Sequence, residues 1–167
     1  MPIYSKKIIE HFKNPRNVGE IKNPSGEGMA GNIFCGDLMK LYLRIGKNKK
    51  GEKIIKEAKF KTMGCPVAVA NTSLLTTMII GKNLKNVLKI KKTDLIKKLG
   101  QPLPPSKIHC SILATDALKE TVYNYYLKNK IKIPKDLEEE HQRIVKTKEE
   151  LEKRYKKFQI FEKEILE

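Results

Sequence analysis

The chain of 167 residues reads as a mixed fold, with one β-hairpin in the first half and helices from there to the end. Three patterns predict it. Apolar residues alternate at 38–45 and again at 54–62, on either side of a loop of Gly, Lys and Asn. The run 66–80 opens on Pro and is apolar or small nearly all round, as a buried helix is. A stripe of helical period fills 109–128. An apolar fraction of 40% builds one ordinary core.

In order along the chain, Tyr4 to Phe12 reads as a short helix that Ser5 can cap, with Ile8, Ile9 and Phe12 on one face. Asn14-Pro15-Arg16-Asn17 stops it. From Gly19 to Gly36 the chain is rich in Gly, Asn and Pro and reads as an irregular segment that pairs only in part. Leu38 to Ile45 is a strand with Leu41, Leu43 and Ile45 on one face, and 46–51 is a hairpin loop. In the return strand, Ile54 to Thr62, Ile54, Ala58 and Phe60 share a face. Cys65 falls at the turn into the helix that Pro66 opens and Gly81 closes. Two short helices follow, Asn83 to Ile90 and Thr93 to Leu99. Three prolines force 101–105 to be extended. A long helix runs from His109 to Lys128, and Pro134 interrupts the chain after it. Residues 137–166 form a last helical pattern, with Leu137, Ile144, Leu151 and Phe158 seven apart and Tyr155 and Ile165 near the same stripe. That helix either folds back on its own domain or docks on another subunit, so a homo-oligomer stays open. Two units result, residues 1–128 and a charged helical extension, 129–167.

The net charge of +16 is uneven. Residues 129–167 hold 11 basic and 10 acidic side chains, while residues 1–128 hold 24 and 9, a net of +15. Such a field attracts acidic partners. Nucleic acid is not favoured, because neither interleaved aromatics nor a reading motif accompanies the lysines. No run approaches the roughly 18 apolar residues of a membrane span, and the first residues have no apolar block, so a cytoplasmic location with reduced thiols is expected.

Three cysteines remain: Cys35, Cys65 and Cys110. They are odd in number and far apart, which argues against a disulfide framework, and no CxxC pair is present. Each lies at a junction of predicted structure. Cys65 and Cys110 fall near helix N-termini, where amide N–H groups and the helix dipole favour thiolate, the form that binds soft metals. Asp37 lies two residues after Cys35, and His109 precedes Cys110. Together they offer five donors to a site that ordinarily needs four. Zinc and iron–sulfur both accept such ligands.

Several motifs in order then resemble one family. They are Tyr4-Ser5, Asn14-Pro15-Arg16-Asn17-Val18-Gly19, Cys35-Gly36-Asp37-Leu38-Met39-Lys40-Leu41, Phe60-Lys61-Thr62-Met63-Gly64-Cys65 and Leu103-Pro104-Pro105-Ser106-Lys107-Ile108-His109-Cys110. They look like those of the iron–sulfur cluster assembly scaffolds of the IscU/NifU type. The resemblance implies an α+β domain with a three-stranded antiparallel sheet and helices packed on one side, to which this chain adds a C-terminal helix. It implies a carrier rather than an enzyme. Such a carrier takes persulfide sulfur from a cysteine desulfurase, binds iron, builds a transient 2Fe–2S cluster and passes it to recipient apo-proteins. Carried over by position, Cys35, Cys65 and Cys110 are metal ligands, with His109 or Asp37 as the fourth. Cys110 is the persulfide acceptor, and Asp37 favours release. The stretch Leu103, Pro104, Pro105 and Lys107 is where a DnaK-type chaperone grips. The chain departs from the pattern at Pro66-Val67, where small residues are common, and at Ser106, where Val is usual. A related subfamily of zinc-bearing sulfur acceptors has an insertion before its last cysteine and lacks the preceding His. His109 and the 44 residues between Cys65 and Cys110 point to the cluster scaffold.

Overall fold

The computed structural model describes residues 4–33, 35–100 and 103–166, with side chains of the last helix placed as far as Lys156. The strands are β1 Gly26–Gly31, β2 Leu38–Lys47 and β3 Lys53–Met63. The helices are α1 Lys6–Lys13, α2 Pro66–Ile79, α3 Leu84–Val87, α4 Lys92–Leu99, α5 Ile108–Lys128 and α6 Lys135–Leu166. A 3-10 turn, Pro105–Lys107, precedes α5.

β2 and β3 form the hairpin that the alternation requires. Asn48 closes its turn, its Oδ1 accepting from the amides of Lys50 and Glu52 at 2.9 Å. The pairing passes from Arg44↔Glu57 to Ile45↔Ile55 and so skips Lys56. That extra residue reverses the alternation. Ile55 therefore joins Ala58 and Phe60 in the core, where Ile54 was expected.

β1 is the part of 19–36 that pairs, and it is a full strand. It pairs antiparallel with β2 along its whole length, from Gly26↔Leu43 to Gly31↔Leu38, and gives the sheet order β1-β2-β3. Its sequence carries no strand signature because its function is to have little side chain. A Cβ at Gly26 would stand 2.9 Å from the Tyr125 Cβ, and one at Gly28 would stand 2.8 Å from the Thr121 Cα. Glycine lets α5 lie on the strand backbone to backbone. The outer edge of β3 is also occupied. The Gly19 amide donates to Phe60 O, the Phe60 amide to Asn17 O, the Ile55 amide to Lys82 O and the Gly81 amide to Ile55 O.

The helices cover the sheet face that carries Met39, Leu41, Leu43, Ala58 and Phe60, all essentially buried. The other face holds Lys40, Arg44, Glu57 and Lys61 in surface ion pairs. In α1, Ser5 accepts from the Ile8 amide as the expected cap, but only Ile8 is buried; Ile9 and Phe12 face solvent. α2 is buried nearly all round. α3 is shorter than 83–90. Leu84, Val87 and Ile90 are spaced by three, and the chain tightens into i,i+3 bonds, Lys89 N to Asn86 O and Ile90 N to Val87 O. Pro104 is extended (φ −53°, ψ 139°), but Pro105, also read as extended, opens the 3-10 turn, whose first position suits a residue with no N–H to donate, while Gln101 and Pro102 lie outside the described residues.

α6 folds back on the domain. Leu137, Ile144 and Leu151 are buried against it, and Phe158 and Ile165 lie outside the described side chains. Arg143 reaches both oxygens of Asp116 on α5, at 3.0 and 2.6 Å. His141 meets Glu120 at 2.9 Å and stacks on Tyr123 with ring centroids 3.7 Å apart. Among the described residues no helix is long and apolar enough to cross a membrane.

Candidate metal centre

Three junctions meet at one end of the molecule. The β1–β2 loop brings Cys35 and Asp37, the β3–α2 turn brings Cys65, and the first turn of α5 brings His109 and Cys110. The loop is folded by Gly36, which takes φ +72°, and by two backbone bonds, Gly36 N to Asn32 O and Asn32 N to Asp37 O. Pro66 at N1 makes Cys65 the N-cap of α2. Behind the thiols the Ser111 hydroxyl donates to Asn71 Oδ1 at 2.9 Å, pinning α2 to α5 one residue past Cys110.

The result is a compact donor set. Ligand atoms of Asp37, Cys65 and Cys110 all lie within 4.8 Å of one another. The Cys65 and Cys110 sulfurs are 3.4 Å apart. Thiolates about 2.3 Å from one tetrahedral metal stand ~3.8 Å apart, so small shifts would fit an ion between them. The Cys65 amide donates to Asp37 Oδ2 at 3.3 Å. The carboxylate is thus tied to the turn that carries a thiol.

The two close sulfurs are unequal. Cys110 donates to Cys65 and, together with the Ala68 and Val67 amides of α2, brings the Cys65 thiol down to about 6 against the opposing effect of burial. Cys110, itself fully buried, is pushed well up by the same hydrogen bond and by burial. In this state Cys65 is the thiolate and Cys110 keeps the proton. The Cys65 charge in turn raises the Lys107 ammonium, with Cys110 and Asp37 adding to it. Lys107, read from sequence as part of a chaperone grip, therefore also belongs to the electrostatics of the thiols. No local pattern could have assigned it, because its neighbour is 42 residues away.

Cys35 and His109 stand outside the compact set. Cys35 is exposed at the rim, its amide bonded to Asn32 Oδ1 at 3.3 Å. Partial burial of its sulfur raises its thiol pKa, and the Asp37 amide pulls the other way. His109 is half-buried on the first turn of α5. Of the stretch 103–107, Leu103 is buried in the core, Pro105 and Ser106 are exposed, and Pro104 and Lys107 are half-buried.

Fold and site together define a small α+β protein that gathers soft and hard donor atoms from three segments beside a three-stranded antiparallel sheet. Residues 3–132 match the family described as NifU-like N terminal domain, and the chain belongs to it. Among its relatives, the iron-sulfur cluster assembly scaffold protein IscU of Rickettsia prowazekii is 46% identical over 132 residues, 77% of this chain and 96% of the relative. The protein of the same name in Escherichia coli (strain K12) is 46% identical and covered to 98%. IscU 1 of Archaeoglobus fulgidus is 43% identical over 127 residues, 76% of this chain and 79% of the relative. The crystal structure of a putative scaffold for the SUF system from Fervidobacterium islandicum superposes with a TM-score of 0.58 at 24% identity, over 72% of this chain and 96% of that one. That likeness speaks for the fold.

Proposed function

We propose that this chain is a scaffold on which 2Fe–2S clusters are assembled from iron and persulfide sulfur and then passed to recipient apo-proteins. The relatives' names support this reading, and one observation carries it: Asp37, Cys65 and Cys110, from three separate segments, converge within 4.8 Å. Cys35, Cys65 and Cys110 are the proposed thiolate ligands, with Asp37 or His109 completing the shell. Soft thiolates suit iron and sulfide, while a hard carboxylate is a poorer match and favours release.

Sulfur arrives as a persulfide on a cysteine desulfurase. A thiolate of the scaffold, proposed here as that of Cys110, attacks the outer sulfur. The donor's S–S bond breaks, the donor leaves as a thiolate, and a persulfide remains on the scaffold. The Cys110 proton must first pass to the Cys65 sulfur 3.4 Å away. The α2 amides and the Lys107 ammonium support the negative charge that then accumulates. The protein is a carrier in this reading, with no turnover of its own. Three free thiols suit a reducing compartment, here the cytoplasm. A DnaK-type chaperone that grips residues 103–107 would have to draw Leu103 out of the core. The scaffold unit is residues 1–128, and 129–167 is an addition to it.

The test is anaerobic reconstitution with ferrous iron, cysteine and a cysteine desulfurase. The expected product is brown, with equal iron and sulfide, and Cys65→Ala or Cys110→Ala abolishes it. Colourless protein under full supply sinks the proposal. Stoichiometric zinc with no visible bands would identify a zinc-dependent sulfur acceptor instead.

A further inference from the structure

α6 does more than cover α5. Its far end reaches the loop that carries Cys35. The Tyr155 hydroxyl donates to Gly36 O at 3.1 Å, and the Arg154 guanidinium donates to Ile33 O. These two carbonyls bracket Cys35. Leu151 lies against Gly31 so closely that a Cβ there would be 2.6 Å from the Leu151 Cδ2, and a Cβ at Gly36 would be 2.7 Å from the Tyr155 hydroxyl. The strand end and the loop are shaped around this helix. The matched family region ends at residue 132, before α6 begins at Lys135.

In the arrangement that α6 holds, Asp37 is inside the donor set and Cys35 is outside it. A backbone shift that carries the Cys35 sulfur toward Cys65 and Cys110 moves the residues flanking it. The two carbonyls that would have to move are those bonded to Arg154 and Tyr155. Together two such bonds can bias the loop by roughly tenfold.

We propose that Arg154 and Tyr155 are positioning residues that hold the Cys35 loop open, so that docking of the chain's own C-terminal helix sets how readily Cys35 joins and leaves the metal shell. This rests on the scaffold reading of the site. With the brace in place, ligation by Cys35 competes with two hydrogen bonds, and a bound cluster is easier to give up. With the brace released, Cys35 closes and the cluster is retained.

The test uses the full chain and two readouts. In the metal-free protein, limiting diamide takes two electrons and two protons from a pair of thiols, and peptide mapping identifies the pair. Wild type is expected to join chiefly Cys65 to Cys110. The double variant Arg154→Ala/Tyr155→Phe is expected to raise the share of links involving Cys35 several-fold. Tyr155→Phe alone, which keeps the ring and removes only the donor, should move in the same direction. Glu149→Ala, on an exposed part of α6, is the control and should match wild type. In reconstituted protein, the double variant should pass its cluster to an apo-ferredoxin several-fold more slowly. An unchanged linkage pattern in both brace variants overturns the proposal, as does faster transfer. If the pattern shifts while wild type binds no cluster at all, the brace stands and the scaffold reading fails.

Discussion

Cys65 and Cys110 place their sulfurs 3.4 Å apart, and alkylation measures which of them keeps its proton. Because Cys65 is brought down to about 6, its reaction with iodoacetamide should rise with pH around that value and level off by neutrality. Cys110 should stay unreactive across the same range. Cys110→Ala removes the donor, so the Cys65 midpoint should climb toward the ordinary thiol value of about 8.5. Residue-resolved mass mapping of the alkylated protein checks both statements. Asp37 is tested by lifetime. Its carboxylate accepts from the Cys65 amide and lies inside the donor set. Asp37→Ala should lengthen the survival of a bound cluster under chelator several-fold, read from the decay of its visible absorbance, and equal lifetimes would remove Asp37 from the release step.

At the scale of elements, what could be read in advance depended on side chains. β2, β3, α2 and α5 announce themselves through period and capping, since their apolar residues must face the core. β1 hides for the opposite reason: Gly26 and Gly28 contribute by lacking a side chain, and only the position of α5 shows why. Gly28→Ala should therefore cost about 1–3 kcal/mol, because the new Cβ meets the α5 backbone rather than a movable side chain. Denaturant unfolding measures this. Gly51 supplies a contrast. It has φ +78° and open space where a Cβ would stand, so Gly51→Ala should cost only the backbone penalty of about 1–2 kcal/mol. The skip at Lys56 was equally invisible, because nothing in the strand's own composition marks which residue leaves the ladder. For the site, the three cysteines with Asp37 and His109 were legible as ligand types. Which of them converge was not, since that depends on loops that only the folded chain aligns. Arg154 reads as an ordinary charged helix position and Tyr155 as a residue near the apolar stripe, and their target lies more than 110 residues earlier.

Across the whole molecule, α6 is attached through charge as well as through its apolar stripe. Burial raises the Asp116 carboxyl above its ordinary range, with Arg143 acting against that. A carboxyl raised in the folded state favours folding in acid, and its contribution is lost as pH rises through the folded value. Arg143→Ala would raise it further by removing the opposing charge. The variant should lose about 1–3 kcal/mol near neutrality, and the difference from wild type should shrink as pH falls and Asp116 takes up its proton. Thermal melts of both proteins across that range decide the matter. The basic surface has its own consequence. Lys82, Lys85, Lys89, Lys91, Lys92, Lys97 and Lys98 are all exposed around α3 and α4, so encounter with acidic partners should slow as salt rises.

The hydrogen bonds along the outer margin of β3 reach beyond architecture. Segments 17–19 and 81–83 already take the outward amides and carbonyls of Phe60 and Ile55, groups that a free strand would offer. At the opposite margin, β1 is only six residues long, and Asn124 caps its Glu27 carbonyl. Both borders are interrupted in this way, which shortens the run of free backbone groups that another copy could pair with and works against fibrillar stacking at high concentration.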